Sequence, residues 1–216
     1  MQVDVKRHNR GFTLIELMVS VTIFAIVMVM ALGSLLSIST ADRKAESLKS
    51  VMDNLNFALD SMSRTIRTGL YYSCMTSPSF PVSLDSNGNP IPANCAGGAT
   101  AIAFHSADGN TVVYCRGSNS ACSSSGSSIL RSTDGGNTFT QLTASEVVVN
   151  NLNFYVIGAC ATPGTPPSGS CADSSYDYVQ PKVTITVNGQ VKVTGSQNTT
   201  YPYAVQTTVT QRVYDQ

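Results

Sequence analysis

The 216-residue chain carries 13 basic and 13 acidic residues, so its formal charge is zero and only 12% of positions are charged. A nucleic-acid binder held by phosphate contacts needs a basic excess that is missing here. Disorder throughout is excluded as well, because 42% hydrophobic content is enough to bury a core. The length suits one domain, or one domain with an appendage. Composition changes along the chain: all seven Met fall at or before Met75, all six Cys at or after Cys74, and the later part is rich in Ser, Thr, Asn and Gly. Two differently built parts are joined.

Residues 1–10 carry Lys6, Arg7 and Arg10 against Asp4 and lead into Gly11. From Phe12 to Ile38 there follow 27 residues with one charge, Glu16. At about 1.5 Å per residue the uncharged run Leu17 to Leu36 would cover roughly 30 Å, the thickness of a bilayer's hydrocarbon core. The basic flank predicts a cytoplasmic N-terminus, with everything after Ile38 delivered outside. Two plainer readings compete. A cleaved signal peptide would use the small residues Ser39-Thr40-Ala41 and start the mature chain at Asp42, but the apolar stretch is about twice the usual signal core. A plain uncleaved anchor leaves Glu16 unexplained. A carboxylate at the centre of a membrane helix costs about 2.5 to 3.5 kcal/mol, less near the helix start, where the helix dipole favours it.

The run Arg10-Gly11-Phe12-Thr13-Leu14-Ile15-Glu16-Leu17 resembles the processing site of type IV prepilins and of the pseudopilins of type II secretion systems. The resemblance implies cleavage after Gly11 by prepilin peptidase, N-methylation of Phe12, and an assembly role for Glu16. Cleavage would create a cationic amine at Phe12, four positions from Glu16 and on the same helix side. In the family the glutamate meets the amine of a neighbouring subunit as the chain leaves the bilayer. An unpaired charge in low dielectric is expensive, so burying the pair selects register.

The helical pattern continues past the membrane edge. Leu48, Val51, Met52, Leu55, Leu59, Met62 and Ile66 recur at three- and four-residue steps, while Lys44, Glu46, Lys49, Asp53, Asn56, Asp60 and Arg64 form a polar face. No Pro precedes Pro78, and Gly69 is a stop signal. One helix over about 12–68 would be roughly 85 Å long. The stripe spans under three heptads, which argues against a dimeric coiled coil. Gly33 stands where many pilins have a helix-breaking Pro.

After Tyr71 turn signals dominate. A hairpin is expected over Ile185 to Val193, turning at Asn188-Gly189, and a second over Ala101 to Cys115, turning near Asp108-Gly109. Further strands are expected at Ser128 to Arg131, Thr138 to Leu142, Glu146 to Ile157, Val179 to Val187 and Tyr203 to Val213, joined by loops such as Thr162 to Gly169. The expected fold class is therefore α+β, with an antiparallel sheet laid on the second half of the helix, the pilin fold. The expected domains are a cytoplasmic leader over 1–11, a stalk helix over 12–70 with its membrane segment at 12–38, and a β-rich globular domain over 71–216. The strand order is similar to that of minor pilins and J-type minor pseudopilins. Processing would leave 216 − 11 = 205 residues, longer than most major pilins.

Six Cys in an exported domain read as three disulfides with 15 possible connectivities. Chain proximity suggests Cys74 with Cys95, Cys115 with Cys122, and Cys160 with Cys171, each contributing about 2 to 3 kcal/mol. A metal site is weakly supported, since no C-x-x-C exists and His105 is the only His outside the leader. A hydrolytic site would also have to use His105, and no Gly-x-Ser-x-Gly elbow, H-E-x-x-H, phosphate loop or dinucleotide fingerprint is present. Asp85-Ser-Asn-Gly-Asn89 reads as a turn and not as a calcium loop, because its Gly is misplaced and Pro90 follows. Tyr71, Tyr72, Tyr201 and Tyr203 are expected to pack on the sheet.

The expectation is a non-enzymatic subunit without cofactors, held in a bacterial inner membrane with its domain outside the cytoplasm. It is expected to assemble with other pilin or pseudopilin subunits into an extracellular or periplasmic filament, without direct nucleic-acid binding. A single-pass anchored or secreted disulfide-bonded binding module is the alternative, and an exported hydrolase using His105 is the third reading.

Overall fold

The computed structural model describes residues 11–160, 180–193 and 199–212. The fold is α+β: one helix, α1 (Leu14–Arg67), followed by antiparallel strands. The chain divides into two units, Met1–Glu46 and Ser47–Gln216.

In the first unit α1 runs without interruption through Gly33, and its apolar side chains are exposed, from Met28 at 47% to Leu14 at 79%. Such a surface needs an apolar surrounding.

In the second unit the helix buries Val51, Leu55, Ala58, Leu59, Met62 and Ile66. Leu48 and Met52, which the periodicity places on the same stripe, are exposed, and Ala58 takes a buried place between Leu55 and Met62. The turn Gly69 N–H to Ile66 O, at 3.0 Å, closes the helix. The hydroxyl of Tyr72 lies 2.6 Å from Ile66 O and 2.8 Å from Gly69 O, so the one proton of a buried phenol is shared between two carbonyls at the helix end and ties β1 to it. Burial pushes that phenol's pKa up, which keeps it a donor. Gly69 is required by packing, since a Cβ there would stand 2.5 Å from Phe104 Cδ2.

Where one sheet was expected, the strands form two. The first contains β1 (Leu70–Met75), β3 (Ala101–His105), β4 (Thr111–Ser118), β6 (Ser128–Ser132) and β7 (Thr140–Gln141) in spatial order, with β5 (Ala121–Cys122) on β4. The second runs β10 (Thr199–Thr210), β9 (Lys182–Val193), β8 (Val147–Ile157), β2 (Cys95–Ala99). Both cover the helix: Ile102, Phe104, Tyr114 and Ile129 of the first sheet and Val149, Phe154, Ile185 and Val187 of the second share one core with the helix stripe. The far face of the first sheet is also covered, with Ala101, Ala103, Val113 and Leu130 packed under Val82 and Phe139. Burial on both faces explains why Ala101-Ile-Ala-Phe104 is a continuous apolar run and not an alternating one.

The β3–β4 hairpin turns at Asp108-Gly109, where Gly109 has φ +83° and Gly109 N–H donates to Ser106 O at 3.0 Å. The hairpin expected at Asn188-Gly189 does not form. β9 passes straight through both residues, pairing with β8 on one side and β10 on the other. Gly189 serves close approach instead: a Cβ there would lie 2.0 Å from Val148 O and 2.7 Å from the hydroxyl of Tyr203, its cross-strand partner. Opposite it β8 bulges between Val149 and Asn151, and the Arg116 guanidinium donates to Asn150 O at the bulge.

Disulfides join Cys74 to Cys95 and Cys115 to Cys122, each with Cα atoms 5.9 Å apart. Cys160 is also disulfide-bonded. Cys171, the loop Thr162 to Gly169, Val179 and Val213 lie outside the described residues.

The loop before β7 is organised by Asp134, whose carboxylate accepts from the hydroxyls of Ser132 and Thr138, both at 2.6 Å, and from the amides of Asn137 and Thr138, both at 2.9 Å. The Ser132 hydroxyl first, then Thr138, holds its carboxyl far below the usual 3.8. A depressed folded pKa contributes stability that is fully present above 3.8 and lost as pH falls below it. Asp134→Asn should therefore flatten the decline in stability below about pH 4, read as thermal midpoint against pH, and leave the slope at pH 5 to 7 unchanged.

Candidate functional site

The helix start explains its own position. Thr13 is the N-cap: its Oγ1 accepts from Glu16 N–H at 3.4 Å and its carbonyl accepts from Leu17 N–H at 3.2 Å. Glu16 therefore stands at the third helical position, where a carboxylate meets the positive end of the helix dipole. Thr-x-x-Glu is the capping-box spacing, and Phe12 and Leu17 occupy the positions of a hydrophobic staple. The role of Thr13 is one that the processing-site resemblance does not single out, although the spacing Thr13 to Glu16 was there to find it.

Gly11 and Phe12 precede the helix in exposed chain, with Phe12 at 82% exposure. A peptide bond in such a position is open to a protease. Among the described residues the Glu16 carboxylate meets no cation and no hydrogen-bond donor. The other polar groups of the apolar run are satisfied locally: Ser20 Oγ donates to Glu16 O at 2.7 Å and Thr22 Oγ1 to Val19 O at 2.8 Å. Glu16 is the one charged side chain between Phe12 and Ile38, and among the described residues no ion pair meets it. The helix has an 18-residue window of mean hydropathy 2.5 with none of it buried, long and apolar enough to cross a membrane.

His105, the sole candidate for hydrolytic chemistry, lies at the end of β3, half-buried, with its ring edge-on to Tyr71 at 6.5 Å between centroids. Among the described residues no hydrogen-bond partner meets its buried Nδ1. Asp85 forms a turn, accepting from Asn87 N–H and Asn89 N–H, both at 2.8 Å, with Gly88 at φ +81°. Tyr72 and Tyr203 are buried, and Tyr71 and Tyr201 are half-buried.

Residues 6–32 match the family described as the prokaryotic N-terminal methylation motif. The match covers the basic flank, Gly11, Phe12, Glu16 and most of the apolar run, and the chain thus carries the signature of type IV prepilins. Neither a curated protein nor a solved structure matches the chain.

Proposed function

We infer that this chain is a minor pilin or pseudopilin subunit, cut after Gly11 by prepilin peptidase, methylated on Phe12, and built through its N-terminal helix into a type IV pilus or type II secretion pseudopilus. The observation that carries this reading is the junction at residues 11–16: an open peptide bond, a helix that begins two residues later, and one unmatched carboxylate at the head of an unburied apolar run. Removal of 1–11 supplies the missing cation at Phe12. On this reading residues 12–70 are the stalk and 71–216 the displayed domain, on the outer side of the inner membrane before assembly. The pilin motif goes with a structural subunit that is a substrate of its processing enzyme.

The test is Glu16→Ala in cells, read by N-terminal mass spectrometry and by the share of processed subunit in sheared filaments. The expected result is a methylated Phe12 terminus, normal membrane insertion, and loss of the subunit from filaments. A mature chain that keeps residues 1–11, or one that starts at Asp42, overturns the reading; the latter is the outcome for a secreted binding module. Blocked insertion or cleavage with normal assembly would overturn the role of Glu16.

A further inference from the structure

Strand β10 ends the four-stranded ladder, so among the described residues no strand pairs with it on the side away from β9. Two bonds at its C-terminal end fix which backbone groups face that side. Gln211 N–H donates to Pro181 O at 2.9 Å, toward β9, whereas Arg212 N–H turns the other way to Arg67 O at 2.8 Å. Alternation along the strand then aims the N–H and C=O groups of Ala204, Gln206, Thr208 and Thr210 outward. Pro202 has the same parity, the side on which a missing N–H costs the ladder nothing.

This outward edge does not face open solvent alone. Thr207 to Thr210 form one wall of a cleft of about 590 Å³ whose other wall is the helix face of Asp60, Ser63, Arg64 and Arg67. Exposed edges are usually blunted by charge, bulges or short length. β10 has 12 residues, no charged side chain and unbroken register with β9, and Pro202 near its start is the one blunting residue in its own sequence. The cleft leaves room between this edge and the helix among the described residues.

The walls also specify what pairs with it. Outward backbone groups in a row are matched by an extended polypeptide. Arg64 already holds Asp60 at 2.8 Å, which leaves Arg67 as the cation in the wall without a carboxylate among the described residues. A second copy of β10 would bring no acid, since none lies between Thr199 and Gln211. Phe57, 70% exposed and one turn before Asp60 on the same helix face, adds an aromatic contact beside the cleft.

We propose that this cleft binds an extended segment of another polypeptide, added to β10 as a fifth strand of that sheet, with an acidic side chain set against Arg67. This goes beyond the fibre-subunit reading and does not rest on it.

The test uses the full chain in detergent and a labelled nonapeptide that alternates Thr and Val with one central Asp. Polarisation should show saturable binding, and hydrogen exchange at Gln206, Thr208 and Thr210 should slow. A peptide methylated on alternate backbone nitrogens should not bind. Arg67→Glu, at an exposed position, should weaken the Asp peptide about fivefold and strengthen a Lys counterpart by a similar factor, the scale of a partly exposed ion pair. Absence of binding, indifference to backbone methylation, or equal affinity for the Asp and Lys peptides would overturn the proposal. So would β10 amides already protected in the free chain, which would put a segment of the same chain in the cleft.

Discussion

Replacing Phe104 with alanine should cost the β-domain about 3 to 5 kcal/mol. The ring is fully buried, its centroid 5.9 Å from that of Tyr72 and 6.0 Å from that of Tyr114. It fills the space that Gly69 leaves at the helix end, where even one added carbon would meet it at 2.5 Å. Truncation would empty a site bounded by backbone on one side and two aromatic rings on the other. Little of that boundary can collapse, so the cavity term adds to the lost transfer energy. The measurement is a denaturant midpoint followed by aromatic circular dichroism. A loss below about 1 kcal/mol would mean that Phe104 does not hold the helix end to the sheet.

The second large effect is expected at Gly189. Gly189→Val must place a branched side chain where Val148 O stands 2.0 Å from the nearest possible Cβ. That oxygen belongs to the neighbouring strand, so relief requires β8 and β9 to separate and their ladder to break. A loss of about 3 kcal/mol or more follows, at the upper end for overpacking. Gly97→Ala is the control, because nothing lies within 4 Å of its Cβ position and its backbone is not left-handed. It should be neutral or slightly stabilising through the unfolded chain. Equal effects at the two positions would contradict the close approach at Gly189.

Gly69 and Gly189 also mark how far the amino-acid pattern could be read. Gly69 is a correct stop signal, and the three- and four-residue spacing from Val51 to Ile66 correctly reports the buried helix face. Both are local features, decided by neighbours within one or two turns. Asn188-Gly189 carries the same kind of local preference for a tight turn. There, the preference lost to pairing along both sides of a 12-residue strand, which satisfies far more backbone than a two-residue turn. The division into two sheets was illegible for a related reason. β2, Cys95-Ala-Gly-Gly-Ala99, has no strand pattern of its own and is a strand because β8, more than 50 residues later, lies beside it. Leu48 and Met52 fit the helical period but fall where no sheet residue covers them. At the candidate site the residue types at 11, 12 and 16 were readable, being a linear motif. The cap by Thr13 shows why the helix begins there.

β1 and β2 lie in different sheets, and the bond from Cys74 to Cys95 crosses between them. Elsewhere the two layers are held to each other and to the helix by side-chain packing and scattered single hydrogen bonds, such as Arg116 to Asn150 O and Arg212 N–H to Arg67 O, which yield to modest force. Tension applied across the domain would thus meet a chemical bond at this corner, and peeling would have to begin elsewhere. Mechanical endurance at this corner is then settled at the moment of oxidation, when the covalent tie between the layers forms.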